Sequence, residues 1–225
     1  MSETGDDAFG LDHKAGGAHY RAYVGPPADY DLISGLQFTL LFRAGLRETD
    51  RLLDVGCGSL RAGRLFIPYL RPGGYFGVEP NGWLIDEGIA RELGTDILEV
   101  KRPTFSNIDD FSFDSLGARF NFVLAHSILS HTFPDLAARA IGGMHDSLDD
   151  GGVLIATFLE GDQQLEGSGW LYPGTVPFTW SEMQELAEEA GLAISRLTWP
   201  HPRQVWFAGA RDAARADEVA ALIEG

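Results

Sequence analysis

The sequence predicts an α/β protein with a doubly wound, mostly parallel seven-stranded sheet, an antiparallel C-terminal hairpin strand and helices on both faces. Short apolar runs alternate with segments of helical periodicity, and this order requires parallel strands joined by right-handed crossovers. A glycine turn follows the first apolar run, at residues 56–58. Only residues 200–203 separate the last two runs, which is too short for a crossover and therefore predicts a hairpin.

Composition bounds the class of protein. The 225 residues suffice for one domain with a large core, and 44% of them are hydrophobic. Thirty-three acids against seventeen bases give a formal charge of −16, which repels nucleic acids and anionic membranes. The chain has no run of 18 apolar residues, an acidic N-terminus and a single cysteine. We expect a cytoplasmic protein, a monomer or a homodimer, with no nucleic-acid or membrane partner.

Periodicity and stop signals place the elements of the first half of the chain. Leucines spaced by four residues lie on one side of a helix predicted at 30–46. The apolar run 51–55 predicts a buried strand, and helical periodicity resumes at 60–70. Asn81 is a candidate cap for a helix at 81–93. Gly73-Gly74 and Pro80 bound a second strand at 75–78. Two further strands are predicted at 97–100 and 120–125.

Capping pairs place the helices of the second half. Thr132 with Asp135, and Ser181 with Gln184, predict two helix starts. The other elements are strands at 153–158, 192–199 and 204–210, a long loop at 160–177 and a final alanine-rich helix. We divide the chain into an N-terminal arm and candidate lid (1–29), the α/β domain (30–211) and a C-terminal helical tail (212–225).

The glycine turn carries the strongest functional signal. Gly56 permits the turn, and Gly58 lets a ligand approach the backbone. A dinucleotide fingerprint needs a third glycine at position 61, where this chain has Arg61. Glu79 ends the second predicted strand, twenty-three residues after Gly56. A carboxylate placed there can accept hydrogen bonds from both hydroxyls of a ribose.

On the segment Asp54-Val55-Gly56-Cys57-Gly58, on Glu79 and on the final hairpin, the sequence resembles the class I S-adenosylmethionine-dependent methyltransferases, which have a Rossmann-like fold. The resemblance covers about residues 30–211. It implies S-adenosylmethionine as cofactor, with Asp54 at the ammonium, Gly56 and Gly58 giving backbone contacts, and Glu79 at the ribose. It also implies that the cofactor site includes Cys57, Pro80 and Ala125.

The family has a polar residue after the third strand that faces the adenine amine. Asn107, Asp109 and Asp110 are the candidates in this sequence, and we favour Asp110. Phe111 can cover the adenine face, or it can be an ordinary core residue.

Two histidines follow the fourth predicted strand, where the acceptor is expected to lie. A hydroxyl acceptor must lose its proton during methyl transfer, and a general base accelerates that step. His131 is the preferred base and His126 the other candidate, and either can instead have a structural role. His131 and Asp135 have a spacing that metal ligands use, but we expect no metal.

Aromatic and charged residues mark the candidate acceptor site. Trp170 and Tyr172 lie in the long loop and can line a pocket for a small molecule. His201 and Arg203 lie in the hairpin link, where Arg203 can bind an acceptor anion or pair with one of the many acids. Arg61 can likewise meet the cofactor carboxylate or have no ligand.

The sequence therefore predicts methyl transfer from S-adenosylmethionine to a hydroxyl oxygen of a small molecule, by in-line displacement with a histidine base. Two alternatives stay open. The acceptor atom can be a nitrogen, or the chain can bind S-adenosylmethionine without chemistry, as a regulatory or partner subunit. A nicotinamide oxidoreductase is disfavoured by Arg61 and by the lack of a Tyr-x-x-x-Lys pair.

Overall fold

A computed structural model describes residues 7–163 and 165–224 of the chain. Residues 1–6 of the predicted arm and Gln164 of the predicted loop lie outside the described residues. The strands are β1 Leu52–Val55, β2 Tyr75–Val78, β3 Thr104–Ser106, β4 Phe120–Ala125, β5 Leu148–Glu160, β6 Pro177–Phe178, β7 Ala193–Leu197 and β8 Val205–Ala210. The helices are α1 Tyr20–Tyr23, α2 Tyr30–Arg43, α3 Gly63–Tyr69, α4 Gly82–Gly88, α5 Asp96–Lys101, α6 Pro134–Ser147, α7 Trp180–Glu189 and α8 Ala213–Glu224.

The sheet confirms the predicted fold class. Its order is β3-β2-β1-β4-β5-β8-β7, and the short β6 pairs with the end of β5. Within that order the strands from β3 to β5 are parallel, whereas β8 is antiparallel to both β5 and β7. One core lies between the sheet and α6 and α7, and a second core lies under α2, α3 and α8 on the other face. No helix in the described ranges is long and apolar enough to cross a membrane.

The register of the parallel strands brings their carboxyl ends to one edge. Val55 of β1 pairs with Val78 of β2, which in turn pairs with Ser106 of β3. Ala125 ends β4 beside Ala156 of β5. The residues that follow these strand ends therefore meet at the edge where ligands bind in doubly wound sheets.

The third strand is not at 97–100, where it was predicted. Those residues lie in α5, which has Asp96 and Glu99 in its first turn and Lys101 in its last, charges that suit the helix dipole. None of the α5 residues is buried. A run of four residues rich in apolar side chains fits one turn of helix as well as it fits a strand. The third strand is instead β3, which lies later in the chain and consists of three half-buried residues.

Two helices start elsewhere than the predicted capping pairs. The Thr132 hydroxyl bonds within the preceding turn and Asp135 accepts from the loop backbone, so neither caps α6. Helix α7 begins with a capping box of Thr179 and Glu182, two residues before the predicted Ser181. Each helix still packs its apolar side chains on the sheet, with Ala137 and Ile141 buried in α6 and Met183 and Ala187 in α7, because burial rather than the cap sets which face packs.

Candidate active site

The glycine turn after β1 is hydrogen-bonded to the end of β2, and its backbone conformation requires glycine. The Gly56 and Cys57 amides both donate to the carbonyl of Val78, at 2.8 and 3.0 Å. Gly56 and Gly58 have φ of 68° and 53°, in the left-handed region. A Cβ on Gly56 would lie 2.2 Å from Ile128 Cδ1. The turn is thus packed against the segment that follows β4.

Glu79 reaches back to the glycine turn. Its Oε2 accepts from the Gly58 amide at 3.2 Å, and its Oε1 accepts from the backbone and side-chain amides of Asn81. Asn81 therefore serves Glu79, and its side chain does not cap α4. The next residue, Pro80, is exposed. A buried carboxylate that already aligns three N–H donors is a fixed acceptor at this edge.

Of the three candidates after β3, Asn107 is the one beside Glu79. Its side-chain amide donates to the Glu79 carbonyl at 2.7 Å. Asp110 is exposed and accepts from the Ser112 amide. Phe111 packs with the core under α6, where its carbonyl leaves no room for a side chain at Gly143. The register of β3 brings Asn107 to the edge, and that register was hidden by the misplaced third strand.

Asp54 and Cys57 are both buried beneath the turn. Tyr75 donates its hydroxyl to Asp54 Oδ2 at 2.7 Å. Burial raises the pKa of Asp54 to about 6, against the lowering effects of the Tyr75 hydrogen bond and of the Arg61 charge. Burial also raises the pKa of the Cys57 thiol, so Cys57 packs as a small neutral side chain.

A small cavity of about 20 Å³ lies at the carboxyl ends of β1 and β4. Its walls are formed by Val24, Gln37, Asp54, Gly56, Cys57, Arg61, Ala62 and His126. Two buried atoms on these walls lack a hydrogen-bond partner within the described ranges: an acceptor, Gln37 Oε1, and a donor, Arg61 Nε. Buried polar groups left unpaired are rare in folded proteins, so each calls for a ligand or a water.

Arg61 is buried and has no ion pair with a carboxylate among the described residues. Its Nη1 donates to the Val24 carbonyl at 2.7 Å and its Nη2 donates to His126 Nδ1 at 2.8 Å. Burial lowers the pKa of Arg61 to about 10, which leaves it charged at neutral pH. A buried cation that is bonded mainly to neutral groups favours the binding of an anion.

The N-terminal segment covers the glycine turn. The Val24 side chain lies against Gly58, where a Cβ would approach it to 2.6 Å. Arg21 of α1 pairs with the buried Glu92 at 2.6 Å, and Arg64 of α3 pairs with the same carboxylate at 3.1 Å. Two cations on one buried carboxylate fix α1 across the turn.

His131 is held in the tautomer that a general base needs. Its Nδ1 lies 2.6 Å from the Gly174 carbonyl. A carbonyl only accepts, so Nδ1 carries the proton and Nε2 of the neutral ring keeps its lone pair. Burial lowers the pKa of His131, which keeps the ring neutral. Trp170 and Tyr172 lie at ring distances of 5.7 and 4.9 Å.

The long loop lies across the segment that carries His131. The Leu171 amide donates to the His131 carbonyl at 2.7 Å, and the Val176 amide donates to the Ser130 carbonyl at 2.9 Å. The Tyr172 hydroxyl donates to the Tyr23 carbonyl of α1, which joins the loop to the N-terminal segment. Asp135 binds the loop backbone, and the described part of the chain contains no group of three side chains suited to a metal ion.

His126 and His201 contact one another, which the sequence did not indicate. Their Nε2 atoms are 2.9 Å apart, although the residues are 75 positions apart in the chain. The other candidate in the hairpin link, Arg203, forms an ion pair with Asp29 at 3.0 Å. Trp206 of β8 packs under both imidazoles.

Gln37 and Trp206 are site residues that sequence reasoning missed. Gln37 lies on the buried stripe of α2, with Ile33, Leu40 and Leu41. A glutamine on an otherwise apolar stripe is a readable signal, because burial of an amide requires a partner. Trp206 lies in an ordinary apolar strand, and nothing in the sequence separates it from a core residue.

Comparison with known proteins finds similarity to methyltransferases. A family model described as a methyltransferase domain matches residues 53–154. No curated protein matches the chain by sequence. The fold is similar to that of magnesium protoporphyrin IX methyltransferase from Synechocystis PCC 6803 with bound SAH, with a TM-score of 0.61, 13% identity, and coverage of 92% of this chain and 93% of that chain.

Two further solved structures share the fold. The sugar N-methyltransferase KedS8 from Streptoalloteichus has a TM-score of 0.56 and 22% identity, over 80% of this chain and 88% of that chain. An O-methyltransferase family protein from Burkholderia thailandensis has a TM-score of 0.57 and 14% identity, over 83% of this chain and 59% of that chain. At these identities the likeness concerns the fold.

Proposed function

We propose that this chain, a class I methyltransferase of the Rossmann-like fold, transfers the methyl group of S-adenosylmethionine to a hydroxyl oxygen of a small molecule, with His131 as general base. The observation that carries the cofactor assignment is the pair of unpaired atoms in the cavity beside the glycine turn. The observation that carries the role of His131 is the tautomer set by the Gly174 carbonyl.

The cavity residues fit the methionyl end of S-adenosylmethionine. That end has an ammonium and a carboxylate, which are a donor and an acceptor of hydrogen bonds. Gln37 Oε1 is an unpaired acceptor and Arg61 Nε an unpaired donor on the walls of one cavity. The Asp54 carboxylate on the same walls adds a charge that suits the ammonium. We assign the ammonium to Gln37 and Asp54, and the carboxylate to Arg61.

The adenosine end suits the neighbouring strand ends. Glu79 offers carboxylate oxygens to the ribose hydroxyls, and Asn107 places an amide at the next strand end for the adenine edge. The segment carrying Val24 closes the glycine turn from solvent, and we assign α1 the role of a lid. A closed site excludes water from the reacting groups.

When bound, S-adenosylmethionine supplies an electrophilic methyl group on a positively charged sulfur. The His131 side chain accepts the hydroxyl proton at Nε2 as the new O–CH₃ bond forms and the S–CH₃ bond breaks. Its Nδ1–H stays on the Gly174 carbonyl, which holds the ring and stabilises the imidazolium that forms. Trp170 and Tyr172 flank the imidazole and provide apolar walls for the acceptor.

His126 does not fit the role of base. Its Nδ1 accepts from Arg61, and its Nε2 faces His201 at 2.9 Å. Neither nitrogen is open to a substrate proton in this arrangement. Burial lowers the pKa of His126, and the neighbouring guanidinium lowers it further because the two like charges would repel.

Calorimetry tests the cofactor, and mass spectrometry tests the reaction. We expect micromolar binding of S-adenosylmethionine and none of NAD(H). A panel of phenols, hydroxy acids and sugars is then screened for a gain of one methyl group. His131→Gln should lower turnover by about 10²–10⁴-fold with unchanged cofactor affinity. His145→Gln is the matched control, because His145 lies before β5, at the opposite edge of the sheet.

Raising the pH separates a base from a structural residue. Turnover of a phenol by His131→Gln should recover toward alkaline pH, because solvent then removes the proton that the imidazole would take. Equal turnover in the variant and the wild type would remove His131 as base. Methylation of amines but not of hydroxyls in the panel would favour a nitrogen acceptor instead.

A further inference from the structure

The histidine pair has more hydrogen-bond donors than its geometry can satisfy. Arg61 Nη2 is only a donor, so His126 Nδ1 must accept from it. His201 Nδ1 accepts from the backbone amides of Arg203 and Gln204, at 3.0 and 2.7 Å. Each neutral imidazole then carries its single proton on Nε2. The two Nε2–H groups point at one another across 2.9 Å.

No ordinary protonation state resolves this contact. A second proton on either ring would go to an Nδ1 that already faces donors. Removal of a proton would create an imidazolate, which is not accessible near neutral pH. The contact is satisfied when an atom that only accepts hydrogen bonds lies between the two Nε2–H groups. The two Nε2 atoms must separate beyond 2.9 Å to admit such an atom, and we assign that movement to the hairpin link that carries His201, outside β7 and β8.

The surroundings contain the other unpaired atoms. Among the described residues, four buried side-chain atoms lack a hydrogen-bond partner. Two of them line the cofactor cavity, and the other two are Trp206 Nε1 and Gln204 Oε1. The Trp206 ring packs 5.3 Å from His126 and 5.8 Å from His201. Gln204 is bonded to His201 through its backbone amide.

Resting on the function proposed above, we infer that His126 and His201 bind a carboxylate of the methyl acceptor through their two Nε2–H groups. A carboxylate oxygen can accept from both groups and, because it is ionised, forms stronger hydrogen bonds than a neutral hydroxyl or amide oxygen would. The Arg61 guanidinium donates to His126 Nδ1, which polarises the imidazole and strengthens its Nε2–H as a donor. Arg203 is already paired with Asp29.

The direction of the rings separates this site from the cofactor. The Nδ1 atom of His126 points at Arg61, so its Nε2 points away from that guanidinium. His201 comes from the hairpin and is not on the walls of that cavity. The methionyl carboxylate is assigned to Arg61 Nε, on the cavity side. The pair is therefore a subsite for the acceptor, and the acceptor is a hydroxy acid.

Nitrogen-15 NMR of the protein saturated with S-adenosylhomocysteine tests the assignment, because long-range spectra report the tautomer of each imidazole. We expect the Nε2–H tautomer at both histidines. Para-hydroxybenzoate is the probe and para-hydroxybenzamide its matched neutral analogue. The acid should shift both Nε2 signals and bind at least about 10-fold more tightly than the amide. A Nδ1–H tautomer at either ring, or no shift at millimolar acid, would overturn the proposal.

Two variants of His201 separate acceptor binding from cofactor binding. His201→Phe keeps a ring without a donor and should weaken the acid about 10-fold or more. His201→Gln keeps an N–H donor and should restore part of that loss. S-adenosylhomocysteine affinity should match the wild type in both, and His145→Gln should change nothing. An equal loss of S-adenosylhomocysteine affinity would place the pair at the cofactor. Failure of the wild type to bind S-adenosylhomocysteine would instead refute the proposed function.

Discussion

The buried Asp54 carboxyl should make the free energy of unfolding depend on pH, and Asp54→Asn should abolish that dependence. Burial raises the pKa of Asp54 from 3.8 to about 6. Between these values the folded state binds a proton that the unfolded state has released, so stability falls as pH rises. A difference of about 2 between the pKa values corresponds to about 3 kcal/mol. The loss starts above the unfolded pKa and is complete above the folded one.

Urea unfolding of the ligand-free protein at pH values on either side of this window measures the effect. The wild type should lose about 3 kcal/mol more than Asp54→Asn between the acidic and the neutral end. Comparing the two proteins removes the contribution of the other carboxyl groups, which titrate in both. It also removes any constant cost of the new amide beside Tyr75. Parallel pH profiles for the two proteins would refute the reasoning.

The same carboxyl should link cofactor affinity to pH. An ammonium beside Asp54 favours the ionised form, so S-adenosylmethionine should bind more tightly as pH rises through about 6. Asp54→Asn should bind more weakly and lose this dependence. Calorimetry at several pH values around 6 measures this dependence. A wild-type affinity for S-adenosylmethionine that does not change with pH would show that Asp54 does not contact the ammonium.

Three smaller predictions test the local structure. Gly56→Ala should cost about 1–3 kcal/mol of unfolding free energy from backbone strain and more from overlap, whereas Gly45→Ala, with a positive φ but open space, should show strain alone. Thr179→Ala should cost about 1 kcal/mol, and Ser181→Ala less than about 0.5 kcal/mol, by urea unfolding. Cys57 should resist iodoacetamide until the chain unfolds, because burial raises its pKa, and prompt labelling in mass spectra would contradict that.

The alternation of apolar runs was sufficient to predict the sheet. Strands β2 and β4 have the predicted bounds, and β1 differs by one residue, because each is a short and largely buried run. Gly56 follows β1 directly, and Pro80 follows β2 after one residue. The third strand was misplaced because Ile97–Val100 and Thr104–Ser106 are both very short runs, and the more apolar of the two is helical. A run this short does not distinguish a strand from one turn of helix.

The candidate site was predictable where spacing along the chain determines it. Glu79 reaches Gly58 because two adjacent parallel strands end in register. The contact of His126 with His201 depends instead on where a hairpin folds relative to β4, which no local pattern encodes. The unpaired Gln37 needed the helix placed on the sheet before its amide could be seen to face the cavity.

The burial of several arginines affects how strongly the protein surface attracts S-adenosylmethionine compared with S-adenosylhomocysteine. Arg21, Arg61 and Arg64 are held largely out of solvent, so the surface that a ligand approaches is more acidic than the formal charge of −16 conveys. S-adenosylmethionine is a net cation, whereas S-adenosylhomocysteine has no net charge. Under the proposed function, the long-range field therefore attracts S-adenosylmethionine more than S-adenosylhomocysteine, and screening by salt removes the difference. Product inhibition should accordingly deepen as ionic strength increases.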